Sequence, residues 1–200
     1  ALEIAAAMSA GNIEHPQTGS TTNRILSSTG VVSGMRAALL AREGITGTEE
    51  ALEGKKGFLY SICDKEPQWR NIDKPFSGYW YILGVGVKPY CCCAGQHAVI
   101  DAAERIRRRG VSAEDIVWAV VTQRPREYED VGLITMPEDV ISAQFCGRFA
   151  FALRMVRGGN DCRDYTLANV KDEEIRELCS RVEYKCDDVC KRLTPSEGSA

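Results

Sequence analysis

The sequence predicts an α+β fold, with a helical part first and a mixed helix–strand part after it. Apolar residues recur at helical spacing through the opening third of the chain. Runs rich in β-branched and aromatic residues, Tyr79 to Val87 and Ile116 to Thr122, occur only beyond Pro67. Helical stretches separate these runs, which is the pattern of a small sheet with helices on one face.

The elements follow in order. Ala1 to Ala10 is rich in Ala, Leu and Ile, and Gly11-Asn12 stops it. His15 to Ser20 holds Pro16 and Gly19 and reads as a loop, with His15 at the surface. A long helix is predicted from Thr22 to Glu43. Ile25, Val32, Leu39 and Leu40 lie near heptad spacing along it, and Gly44 caps its end. Gly30 and Gly34 inside it each cost about 1 kcal/mol relative to Ala, so close packing against another helix or a ligand is expected there. Thr48 caps a short helix running to Leu52. Beyond Pro67, a strand over Tyr79–Val87 ends at Lys88-Pro89-Tyr90. Gln96 to Arg109 is an amphipathic helix with Val99, Ala102, Ala103 and Ile106 on its buried face, closed by Gly110. Ile116–Thr122 is a second strand. Pro137 begins a helix that runs to Arg157 and stops at Gly158-Gly159. Asp172–Ser180 is the last helix and Arg181–Cys186 a short strand. Thr194–Ala200 reads as disordered.

Composition excludes several function classes. A length of 200 residues suits one large or two small domains. A net charge of -3 gives no basic face for nucleic acid. No apolar run approaches the roughly 20 residues that span a bilayer, and no secretory signal pattern is visible. Nine cysteines, an odd number, are scattered along the chain. A secreted disulfide scaffold is shorter and denser in cysteine. Zinc wants paired knuckles, and the run Cys91-Cys92-Cys93 cannot place three thiolates around one ion without severe strain. Reduced, mostly buried thiols are expected, in the cytoplasm or an organelle matrix such as the mitochondrial one, and no metal site.

Four stretches carry a resemblance. Gly19-Ser20-Thr21-Thr22-Asn23-Arg24 is followed by Ala37 to Gly47 (AALLAREGITG). Leu52 to Phe58 reads LEGKKGF. Lys88-Pro89-Tyr90-Cys91-Cys92 precedes His97 and Ala98 to Ala103 (AVIDAA). Ala143-Gln144-Phe145-Cys146 precedes Phe149 and Gly158. In this order and spacing the chain resembles the MmgE/PrpD family of 2-methylcitrate dehydratases, cis-aconitate decarboxylases and iminodisuccinate epimerases. The resemblance implies that residues 1–70 are part of a helical domain, 75–190 an α+β lid domain and 191–200 a disordered tail. Family members are more than twice as long, so a fragment or a shortened relative is expected.

The resemblance further implies a cofactor-free lyase or isomerase acting on a small carboxylate, and a homodimer. Such reactions need cations to hold carboxylates and stabilise developing charge, and an acid and a base within reach of the reacting carbon. Lys88, at a strand end before Pro89, is a candidate carboxylate ligand or proton carrier; the alternative is a solvated lysine. His97, one of two histidines, suits acid–base work near neutrality; the alternative is a structural role at a helix start. Arg24 can grip a carboxylate with its planar fork. Asn23, Cys93 and Phe149 complete the candidate substrate-binding set.

Three departures stand out. The family's Lys in the first motif falls on Asn23, a His three residues later on Leu26, and the Tyr of the fourth motif on Phe149. Neither Asn nor Leu supplies a charge or moves a proton, and Phe lacks a hydroxyl. Two alternatives to the enzyme therefore stand beside it. One is a degenerate relative acting as a binding or partner subunit. The other is a relative re-specified for a less polar substrate in a biosynthetic pathway.

Overall fold

Caps and glycines set the element bounds in the computed structural model, which describes residues 1–12, 14–63, 66–69, 78 and 80–187. Among the described residues the helices are α1 (Leu2–Ala7), α2 (His15–Thr18), α3 (Thr22–Arg42), α4 (Phe58–Ile62), α5 (His97–Arg108), α6 (Pro125–Val131), α7 (Val140–Ala143), α8 (Gly147–Arg157), α9 (Leu167–Lys171) and α10 (Glu173–Ser180). Two strands, β1 (Ala119–Gln123) and β2 (Val182–Cys186), pair in parallel from Ala119↔Val182 to Gln123↔Cys186. The architecture is α+β. The chain divides into two compact units, Ala1–Asn12 with Thr22–Val87, and Ile13–Thr21 with Lys88–Ala200.

In the first unit α1 packs on α3, burying Ile4 and Ala37. The rest of α3 is open. Ile25, Val31, Val32, Met35, Leu39 and Leu40 are exposed. Gly30 and Gly34 have nothing within 4 Å of where a Cβ would stand, so among the described residues the close partner expected at these glycines is not there. The short helix expected from Thr48 is instead a series of turns. Ala51 N–H donates to the Thr48 carbonyl at 3.1 Å and Gly57 N–H to the Gly54 carbonyl at 2.6 Å. Gly54 and Gly57 make a continued helix costly.

The strand expected over Tyr79–Val87 is corrected. Tyr79 lies outside the described residues. Tyr81–Gly84 is a 3₁₀ turn, and Leu83 N–H donates to the Trp80 carbonyl at 3.0 Å. Ile82, Leu83 and Val87 are exposed. The residues have strand character, but a strand needs a ladder partner, and Gly84 and Gly86 weaken it further.

In the second unit the core forms around α8. Seven of its residues are buried, Phe149, Ala150, Ala152 and Leu153 completely. Helices α5 and α10 flank it. α5 buries Val99, Ile100 and Ala103; Ala102, expected on the buried face, is exposed. The helix expected over Pro137–Arg157 is two. The Asp139 side chain accepts from Ser142 N–H at 2.7 Å and starts α7 in a capping box. The chain then turns, and the Cys146 sulfur accepts from Phe149 N–H at the head of α8. Gly158, at φ 77°, ends α8. β1 begins three residues later than predicted: Val117 and Trp118 point to solvent outside the ladder. Asp172 caps α10 by accepting from Ile175 N–H at 3.1 Å. The stretch from Thr194 lies outside the described residues.

The segment read as a loop with His15 at the surface is also corrected. It contains α2, with Pro16 in its first turn. The His15 ring packs edge-on against Phe145 at 5.5 Å, and its Nδ1 is buried. Gly19 holds φ 72°, and a Cβ there would stand 2.4 Å from Ser142 Cα, so only glycine lets the backbone approach α7 so closely.

Candidate functional site

The turn from Lys88 to Gln96 enters α5 through a short 3₁₀ segment, Ala94–Gln96. The first helical residue of α5 is His97. Lys88 Nζ reaches the Cys92 carbonyl at 3.5 Å. The His97 ring stands edge-on to Tyr90, centroids 5.3 Å apart, and its Nε2 is buried with no hydrogen-bond partner. Burial lowers the His97 pKa first and the Lys88 charge second; the Cys92 carbonyl and Asp101 oppose them. The imidazole is therefore neutral at pH 7, with an unengaged nitrogen. Lys88 and His97 meet around one backbone carbonyl.

Supporting groups surround them. Tyr90 Oη donates to Asp101 Oδ1 at 2.5 Å, a bond that raises the phenol pKa. The Arg154 guanidinium lies over the Tyr90 ring at 5.9 Å. The Cys92 thiol is buried, and burial pushes its pKa up to about 11, so it is a protonated thiol rather than a nucleophile. Behind it, Asn160 Nδ2 donates to the Ala150 carbonyl at 3.1 Å and the Asn160 carbonyl accepts from Cys91 N–H at 3.0 Å.

The other candidates divide. Cys93, half-buried, belongs to the same turn; its N–H donates to the Gln144 carbonyl at 2.9 Å. Phe149 is fully buried, its ring 6.0 Å from that of Tyr165, so it packs the core and lines no surface. Asn23 and Arg24 are exposed in the first turn of α3, in the first unit. Leu26 lies over Gly11.

The third and fourth motif stretches meet in the second unit, together with Gly19–Thr21 from the start of the first. Gly19 rests on Ser142, and Gln144 Nε2 donates to the Cys91 carbonyl at 3.0 Å. Sequence reasoning missed Gln144, Tyr90 and Asp101 as site neighbours. Gln144 stood inside a motif already singled out, but an uncharged amide carries no chemical signal of its own. Among the described residues no group of three His, Cys, Asp or Glu side chains could hold a metal, and no helix is long and apolar enough to cross a membrane.

This arrangement brings a lysine ammonium and an imidazole to one carbonyl of a turn. Residues 90–200, over half the chain, match the MmgE/PrpD C-terminal domain, and the chain belongs to the MmgE/PrpD family. No curated protein matches it.

Proposed function

We propose that the second unit carries a carboxylate-binding site of a cofactor-free lyase or isomerase that works by acid–base chemistry. The observation that supports this reading is the convergence of Lys88 and His97 on the Cys92 carbonyl. The Lys88 ammonium pairs with a substrate carboxylate and stabilises charge that builds on it when a neighbouring proton leaves. His97, kept neutral, holds an Nε2 lone pair that takes that proton once the substrate opens the packing around it. Cys93 lies in the same turn; for Asn23 and Arg24, in the first unit, carboxylate binding is only what the family resemblance implies. The first unit belongs to a helical domain and the second to a lid, in the cytoplasm or an organelle matrix.

A second reading is favoured by specific residues. On the family resemblance, Asn23 and Leu26 stand where a cation and an imidazole are expected, whereas Phe149 is sealed in the core and bears on neither reading. Binding without turnover, or a less polar substrate, follows from those losses. The test is incubation of the purified chain with 2-methylcitrate, cis-aconitate and iminodisuccinate, with products followed by chromatography and binding by calorimetry. Weak binding that Lys88→Ala abolishes, with little turnover, is the expected outcome. Robust turnover abolished by the same substitution restores the full enzyme reading, and binding indifferent to Lys88 rejects the site.

A further inference from the structure

We infer that the Gln144 side chain is a positioning group, whose grip on the Cys91 carbonyl holds the turn so that the Cys92–Cys93 peptide presents its carbonyl, rather than its N–H, to Lys88 and His97. The inference rests on the reading of Lys88 and His97 as the site and adds the device that assembles it.

The geometry is that of one planar peptide. In a trans peptide the N–H and the C=O point in opposite directions. The N–H of this peptide belongs to Cys93 and donates to the main-chain carbonyl of Gln144 at 2.9 Å, a bond available while the side chain of Gln144 holds the turn in place. Its C=O belongs to Cys92 and receives Lys88 Nζ at 3.5 Å. Tying down one end aims the other. The Gln144 carbonyl is available because α7 ends at Ala143 and the chain turns before α8. The same carbonyl accepts from Gln96 Nε2 at 3.1 Å, and Gln96 is fully buried.

The side chain of Gln144 secures the preceding peptide. Its Nε2 donates to the Cys91 carbonyl at 3.0 Å and meets the Cys91 sulfur at 3.3 Å. Gln144 thus grips the turn on both sides of Cys92. Were the Cys92–Cys93 peptide to flip, an N–H would face the Lys88 ammonium, and the Lys88 ammonium and the neutral His97 imidazole would lose their common acceptor. The charged groups that bear on His97 are Lys88 and Asp101, with the Tyr90 ring against its edge. A change in the turn therefore registers in the titration of His97.

The test uses the full chain, whose two histidines give two imidazole signals in NMR. Gln144→Leu removes the side-chain donor, and Gln144→Met keeps its length without the amide in case Leu impairs folding. Leu153→Ala, a core truncation, serves as the stability control. We expect the His97 titration to move off its wild-type position in either Gln144 variant, because loss of the Cys92 carbonyl bond lowers the pKa while hydration of the turn and withdrawal of Lys88 raise it. The control is expected to lower Tm with the His97 titration unchanged. If both Gln144 variants lower Tm but leave that titration at its wild-type position, Gln144 is only a packing residue and the inference falls. Binding of tricarballylate, an unreactive tricarboxylate, is measured in parallel for wild type and Lys88→Ala. If Lys88→Ala binds as well as wild type, the site reading falls, while the titration still decides the role of Gln144.

Discussion

His97 carries the most testable property of the site, because its environment works against protonation. Its folded pKa lies below the ordinary histidine value, through burial first and Lys88 second. The unfolded chain therefore takes up the proton first as pH falls. His97 contributes a stability loss that begins near pH 6.5, the unperturbed value, and grows until the folded pKa is passed. Urea unfolding at pH 7.5 and 5.5 should show this loss, and His97→Asn should reduce it. Lys88→Ala removes the second cause and should raise the His97 pKa in an NMR titration. Cys92 makes a separate prediction. With its pKa near 11 and its side chain buried, it should react with iodoacetamide at pH 8 far more slowly than exposed Cys63, as read by mass spectrometry of the labelled peptides. Lys88 and His97 could be singled out through motif order, and both stand at the Cys92 carbonyl. Phe149 was misread as a pocket residue because one sequence position does not tell a ring in a pocket from a ring in a core.

At the scale of elements, two glycines in helices behave oppositely. A Cβ on Gly147 would meet Tyr184 Oη at 1.9 Å, and Tyr184 is itself buried. Gly147→Ala should therefore cost about 1–3 kcal/mol, the usual penalty of overpacking. Gly30 faces open space inside α3. Gly30→Ala should stabilise by about 0.5–1 kcal/mol. Urea midpoints of the two variants check both signs. The bounds of α3, α5 and α10 could be read within a residue or two, from the glycines just past α3 and α5 and the Asp172 cap of α10. The stretch before Lys88 could not, because its strand propensity is real but a ladder requires a neighbour that local sequence does not specify. The split between α7 and α8 was hidden for a different reason: Pro137 signalled a helix start, while the capping box of Asp139 and Ser142 set the start three residues later.

For the whole molecule, the contrast lies between a second unit with a continuous core and an α3 whose apolar residues face outward. We propose that a second copy of the chain covers Val31, Met35 and their neighbours, since exposed apolar patches of this kind mark interfaces. Light scattering at micromolar concentration should report a dimer, and Met35→Glu should shift it towards monomer; a clean wild-type monomer rejects the proposal. The α+β class was legible from where periodicity changes along the chain. The packing of residues 14–20 beside α7 was not, because it depends on a close backbone approach at Gly19, which leaves no mark in a hydrophobic pattern.

The central claim is that Lys88 and His97 form one carboxylate site. Its most direct test follows the His97 imidazole signal while cis-aconitate is added to wild type and to Lys88→Ala. A saturable shift in wild type that disappears in Lys88→Ala is the predicted result. No shift in wild type, or an equal shift in both proteins, would contradict it.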